Sequence, residues 1–345
     1  MPDTPAPIQK ATVVGIGAMG TVMAHVLGTN GVQVALLARD CEDVRQIFTG
    51  GENRLYLPDV KLSPRVHPTN QATAAFAETE LIVSAMPCQY LRAAWRERGL
   101  FAPPGVPIVS VTKGLEIGTL ARPSAIIREF APASPVVALS GPNIARELAR
   151  CLPATAVAAA EDPAVAALAQ QTIATSWFRI YTSPDVVGVE LAGALKNIIA
   201  LAAGILDGLR AGDNAKAALV TRGLVEITRL GVALGARPET FWGLAGVGDL
   251  ITTSVSPHGR NRTAGQRIGE GIPVDRVVAE MPHVIEGIPT TRAVCELAAQ
   301  RHVDMPITQA VHDVLFTGKS PLVAITELMN RPPKAETVPG VGGAA

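Results

Sequence analysis

Cysteine is scarce in this chain. The 345 residues contain four, at Cys41, Cys88, Cys151 and Cys295, with no CxxC pair and no Cys/His spacing suited to zinc. That excludes a disulfide scaffold and a zinc site, and it fits reduced thiols in a cytosolic protein. No metal is expected, and a cytoplasmic location is. An excess of charge of one sign is missing too: thirty basic and thirty acidic side chains give a formal net charge of zero. A protein that wraps nucleic acid carries a basic excess. No nucleic-acid partner is therefore expected, and any anionic ligand must be held by locally placed groups. Residues 1–10 are polar and Pro-rich, without the basic start and apolar run of a signal peptide. One long apolar stretch does occur, at residues 186–206, but it contains Glu190, Lys196 and Asn197. A membrane span carries such groups only at considerable cost. The stretch reads as a buried helix of a soluble protein, and no membrane span is expected.

What the chain has is apolar bulk, 48% hydrophobic against 17% charged, enough to bury a substantial core. Its length suggests two domains. Residues 11–15 form a β-branched run ending in glycine, 19–28 an apolar helical segment, and Asn30-Gly31 a turn into a second apolar run at 32–37. Strand, glycine-rich turn, helix and strand in that order make the first βαβ unit of a doubly wound sheet. Runs at 81–85, 107–111, 135–139, 154–159 and 178–181 predict further strands, with a helical stretch at 163–175 between the last two. After Pro184 apolar residues recur at helical spacing, and 214–234 and 290–301 each predict one amphipathic helix. The fold class is therefore α/β. An N-terminal Rossmann-type parallel-sheet domain is expected over 1–188 and an all-α C-terminal domain over 189–330. Residues 331–345, rich in Pro, Gly and Ala, read as a flexible tail.

Several motifs carry chemistry. Gly15-x-Gly17-x-x-Gly20 follows a strand and opens a helix. There the first glycine permits a tight turn, the second lets backbone approach a pyrophosphate, and the third allows close helix–strand packing. Arg39-Asp40 ends the second strand, and the two residues compete: Arg39 suits a 2′-phosphate, Asp40 a ribose hydroxyl, and both also suit a solvated loop. Lys113 comes just after the 107–111 strand, well placed for a phosphate or cofactor, although a lone surface lysine is the ordinary alternative. Ser140-Gly141-Pro142-Asn143 ends another strand, with a helix expected to begin at Pro142. Lys196 stands in a segment too apolar to be a surface. A buried ammonium is costly unless paired, and burial lowers its pKa towards the range of proton transfer. A lysine that snorkels or neutralises Glu190 is the bland alternative. Asp249 sits between apolar turns, followed by the polar stretch 252–256, and Gly259 leads into Arg260-Asn261-Arg262 at an expected helix start. Arginine and asparagine there suit a phosphate; so does a solvated basic loop.

Taken together, GIGAMG, SVTKGLE, SGPNIARELA, VELAGALKN, GLAGVGDL, RNR and VIEG occur in that order over residues 11–318. In this order the chain resembles the bacterial NAD(P)-dependent glycerol-3-phosphate dehydrogenases. The resemblance implies NADP or NAD as cofactor and a small phosphorylated substrate. It further implies interconversion of dihydroxyacetone phosphate and glycerol 3-phosphate, hence a supply of phospholipid precursor. Lys196 matches the family's catalytic lysine, proton donor to the carbonyl oxygen and acceptor in reverse. Lys113, Gly141, Asn143, Asp249, Gly259, Arg260 and Asn261 match substrate positions. Gly15, Gly17, Ala18, Met19, Gly20, Arg39, Lys113, Ala145, Arg260, Val284 and Glu286 match cofactor positions. The chain departs from the family at Met19, where an aromatic is usual, at Asn143 in place of Ser or Thr, at Gly259 in place of Ser, and at Ile288-Pro289. Two of these changes fall in substrate motifs and keep a second expectation open, a paralogous dehydrogenase for another phosphorylated or carboxylated hydroxy compound. A dinucleotide-binding regulator without turnover would leave Lys113, Lys196, Asp249 and Arg260 unexplained. A homodimer through the helical domain is expected.

Overall fold

The computed structural model describes residues 7–281, 283–333, 335 and 336. Most of the expected tail at 331–345, and residues 1–6 of the N-terminal segment, lie outside them. The chain divides into two compact units. The first runs to Thr112 and includes Pro123–Val186; the second takes Lys113–Arg122 and the chain from Val187 onward.

The first unit holds an eight-stranded sheet: β1 Lys10–Val14, β2 Gln33–Leu37, β3 Val66–Thr69, β4 Leu81–Ser84, β5 Ile108–Ser110, β6 Val136–Ser140, β7 Ala154–Ala159 and β8 Phe178–Ser183. Their order across the sheet is β3-β2-β1-β4-β5-β6-β7-β8. The inner strands are buried on both faces, as in β4, β5 and β6. That explains why they read as continuous apolar runs rather than alternating ones. Strand β1 pairs in parallel with both β2 and β4 (Val13↔Leu36 and Val13↔Val83), so the sheet winds outward in two directions from β1. The crevice at the carboxyl end of β1 is then the topological switch point, where open α/β sheets bind ligands.

Three details differ from the sequence reading. Strand β3, not anticipated, contains Pro68 and pairs only with β2 (Leu36↔Pro68); an edge strand tolerates a proline that cannot donate to the ladder. Strand β7 runs antiparallel to β6 (Leu139↔Ala158) and β8 follows it in parallel, so the sheet is parallel only from β3 to β6. The helix expected from Pro142 begins at Ala145 and ends at Leu148, because the backbone at Ile144 is still extended, with φ −63° and ψ 120°.

The second unit is helical. Its long helix Val186–Gly208 is apolar and long enough to cross a membrane by composition, yet 94% of its most apolar window is buried. It supplies Leu191, Leu195, Ile198, Ile199, Leu201 and Ile205 to the core of this unit. Helices Asp213–Ala233 and Gly287–Gln300 replace the expected 214–234 and 290–301 with small shifts of their ends. A five-residue π-helical turn, Leu244–Gly248, feeds directly into the helix Asp249–Val255. Such turns break the regular ladder and re-aim the residues that follow. Glu226, buried on Asp213–Ala233, accepts hydrogen bonds from the Ile307 and Thr308 amides at 2.9 and 2.8 Å, capping the helix Pro306–Phe316.

Candidate active site

In the sheet unit the glycine turn has the form a dinucleotide requires. Gly15 stands at φ +108°, and a Cβ there would lie 2.9 Å from the Ala85 carbonyl oxygen. A Cβ at Gly20 would collide with the Gly15 carbonyl, so only glycine lets the helix Ala18–Thr29 start against the turn. Gly17 caps that helix with no side-chain acceptor, and the first turn carries no acidic residue. Among the described residues, a Cβ at Gly17 would meet nothing within 4 Å outside its chain neighbours. A helix start with no side-chain cap and open space at its cap residue is what a pyrophosphate fits. Ala18 begins the helix, and Met19 packs partly buried against the sheet core.

Arg39 and Asp40 are separated by their surroundings. Asp40 caps the helix Cys41–Gly50, its Oδ1 accepting from the Asp43 amide at 3.2 Å, whereas the Arg39 side chain is 89% exposed. The carboxylate already caps its own helix, and its other oxygen lies 3.8 Å from Arg39 Nε, on a guanidinium otherwise open to solvent. Gly141 follows β6 at φ +145°, and Asn143 after it is buried at 6% exposure. Ala145 opens the four-residue helix and packs against the sheet core. The glycine turn, Arg39 and Gly141 thus all follow the carboxyl ends of parallel strands.

The helical unit gathers the ionisable residues. Lys196, only 6% exposed, points its Nζ at Asp249 Oδ1 at 3.0 Å and also donates to the Thr253 hydroxyl. Lys113 Nζ lies 2.6 Å from the other oxygen, Asp249 Oδ2. The Thr253 hydroxyl donates in turn to Asp249 Oδ1 at 3.2 Å. Two ammonium groups therefore share one carboxylate, and the centre carries a net positive charge. Burial pushes Lys196 down to about 8; Asp249 opposes this, while Lys113 and Arg260 reinforce it. Burial alone would raise Asp249, but Lys113 and then Lys196 hold its carboxyl below the usual carboxylate range. Glu190, the partner suggested for Lys196 by sequence proximity, is paired with Arg122 instead.

Around this centre, Arg260 and Asn261 start the helix Arg260–Gly269, whose cap Gly259 offers no side-chain acceptor. A Cβ at Gly259 would stand 3.0 Å from the Thr253 carbonyl oxygen, so glycine fits this corner more easily than a larger residue. Arg260 Nη1 donates to the Val284 carbonyl at 3.3 Å. Arg260 is exposed as a residue, yet partial desolvation of its guanidinium by the surrounding protein lowers its pKa, and the nearby Glu286 carboxylate partly offsets that. The Asn261 amide donates to Asn197 Oδ1 and accepts from the Gly287 amide, both at 2.9 Å. The expected substrate positions Lys113, Asp249, Arg260 and Asn261 thus come together with Lys196, Val284 and Glu286 in one unit. Thr253 was not anticipated. Its signal was present, because Asp249 and Thr253 are four residues apart on one helix and so share a face.

A dinucleotide-type turn on a doubly wound sheet, with a lysine–carboxylate centre in a helical unit, defines a two-domain nicotinamide-dependent oxidoreductase. Residues 10–166 match the N-terminal domain of NAD-dependent glycerol-3-phosphate dehydrogenase and residues 185–326 its C-terminal domain. The chain is 45% identical over 327 residues to glycerol-3-phosphate dehydrogenase [NAD(P)+] of Desulfitobacterium hafniense, covering 95% of this chain and 93% of that one. It is likewise 45% identical over 333 residues to the enzyme of the same name from Thermobifida fusca, covering 95% and 98%. The crystal structure of the glycerol-3-phosphate dehydrogenase of Coxiella burnetii superposes with a TM-score of 0.90 at 32% identity, over 94% of this chain and 99% of that one. The chain belongs to the NAD-dependent glycerol-3-phosphate dehydrogenase family.

Proposed function

We propose that this protein interconverts dihydroxyacetone phosphate and sn-glycerol 3-phosphate with NAD(P), and that Lys196 is the residue that moves the proton. The observation that carries this reading is the donor count at Lys196. Of three N–H bonds, one goes to Asp249 Oδ1 and one to Thr253 Oγ1, which leaves one for a substrate oxygen. Lys113 keeps Asp249 ionised, so the carboxylate stays an acceptor and holds the ammonium in place. When bound, the nicotinamide supplies or accepts the hydride. In ketone reduction Lys196 gives its proton to the carbonyl oxygen; in alcohol oxidation the neutral amine takes it back. The net positive centre also stabilises oxygen charge as it develops. Arg260 and the amide N–H groups that open its helix are assigned to the substrate phosphate, with Gly259, Asn261, Gly141 and Asn143 lining the substrate. Gly15, Gly17, Ala18, Met19, Gly20, Ala145, Val284 and Glu286 are assigned to the dinucleotide. The same proposal includes a homodimer through the helical unit, action in the cytoplasm and supply of phospholipid precursor. Light scattering on the purified protein tests the dimer.

The pH dependence follows from Lys196. A donor that loses its proton at about 8 makes ketone reduction fall as the pH rises through that value. Alcohol oxidation, which needs the neutral amine, rises over the same interval. Profiles of kcat in both directions check this, and parallel profiles in the two directions would remove Lys196 as the titrating group.

Cofactor choice follows from Arg39. A solvent-facing guanidinium at the end of β2 can pair bidentately with a 2′-phosphate. NADPH is expected to be used at least as well as NADH, and Arg39→Ser to weaken NADPH while leaving NADH nearly unchanged. Dissociation constants for both dinucleotides, measured on the same variant, decide it. Equal losses would make Arg39 structural. A second substrate reading, another phosphorylated or carboxylated hydroxy compound, is favoured by Gly259 and Asn143. A panel of phosphorylated and carboxylated ketones separates the two readings.

A further inference from the structure

The segment Lys113–Arg122 leaves the sheet unit after Thr112, returns to it at Pro123, and belongs in between to the helical unit. Its anchors there include the following. Lys113 binds Asp249 at its first residue; Leu115, 1% exposed, is part of the helical core; Arg122 pairs with Glu190 at its last residue. Internally it is closed by backbone bonds from the Glu116 amide to the Ala121 carbonyl (3.1 Å) and from the Leu120 amide to the Glu116 carbonyl (2.9 Å). The Thr119 hydroxyl donates to the Glu116 carboxylate within the same turn. Such a loop transmits position, because its two ends are tied through a short, internally bonded turn. Glu190, moreover, stands on the helix that carries Lys196, and its carboxylate is buried at 3% exposure.

We infer that this segment is a strap whose Arg122–Glu190 pair positions Lys113 on Asp249, and that Arg122 and Glu190 thereby set the proton affinity of Lys196 without touching it. The inference rests on the reading of Lys196 as the proton donor. The charged groups facing Lys196 are Asp249, Lys113 and Arg260. Of these only Lys113 is carried by the strap. If Lys113 withdraws from the centre, Lys196 loses a like charge and shares Asp249 with no competitor. Both changes favour its protonated form.

The test uses the full-length protein with 15N-labelled lysine, the Lys196 signal being assigned by its loss in Lys196→Met. The double variant Arg122→Met/Glu190→Gln removes the pair without stranding a buried charge. The Lys196 titration, followed by NMR without substrate, is expected to move to higher pH by about one unit, the lower end of what a neighbouring charge does. The kcat profile for ketone reduction should move with it, and Arg122→Lys should restore both. A Lys196 titration unmoved while the melting temperature falls would overturn the inference and make the pair merely structural. A titration that moves while the kinetic profile stays fixed supports the strap and instead removes Lys196 as the proton donor. Should the double variant fold poorly, Glu190→Gln alone reads the same shift.

Discussion

Lys196→Met should lower kcat by about 10²–10⁴-fold, the usual worth of a general acid, while leaving the dinucleotide bound. The first half follows from position. Lys196 is the buried ammonium with an N–H to spare, and its lowered proton affinity suits transfer near neutral pH. The second half follows from sequence separation, because the glycine turn at Gly15–Gly20 belongs to the other unit. Stability should hold or rise. The substitution exchanges a buried charge for an apolar chain of similar length, and Asp249 keeps Lys113 at 2.6 Å and the Thr253 hydroxyl at 3.2 Å. A purely structural lysine predicts the opposite pair of results, with turnover kept and the melting temperature lowered. Single-turnover hydride transfer and a thermal melt on this variant distinguish the two.

Arg260→Ala should cost about 2–4 kcal/mol in kcat/KM for the phosphorylated ketone, a loss of about 30- to 1,000-fold. The side chain stands at the first position of a ten-residue helix whose cap supplies no acceptor, so guanidinium and amide N–H groups are available to one anion. The same change should matter little for the ketone without its phosphate, which has nothing for the guanidinium to bind. Steady-state kinetics with both ketones check the difference. Equal losses would mean that Arg260 acts through its contact with the Val284 carbonyl rather than through phosphate.

The first βαβ unit was legible because each of its parts has a local cause: β-branched residues for the strand, glycines where a Cβ cannot stand, an Asn-Gly turn. Lys196 was legible because an ammonium inside an apolar run needs a partner. Its partner Asp249, expected to orient Lys196 or a substrate hydroxyl, was legible only through the family resemblance; it lies 53 positions on, and no local pattern indicates that a π-helical turn leads into it. Glu190, six residues before Lys196, was the natural candidate, yet it is taken by Arg122. Strand β3 was missed because Val-His-Pro-Thr neither alternates nor runs apolar; it is a strand by virtue of its neighbour β2. Pro142 misled because it has the chemistry of a first helical residue in a segment whose backbone stays extended to Ile144. The choice between Arg39 and Asp40 became sharper only when the carboxylate was seen to cap its own helix. Residues 113–122 read as a loop of the sheet domain, since tertiary allegiance is decided by anchors at Asp249 and Glu190 far along the chain.

Hydride transfer to a phosphorylated ketone is read by following loss of reduced nicotinamide absorbance with dihydroxyacetone phosphate and, in parallel, with unphosphorylated dihydroxyacetone. Rapid oxidation with the phosphorylated ketone and little with its analogue is expected. No oxidation with the phosphorylated ketone, or equal rates with both, would show that this protein does not carry out that transfer.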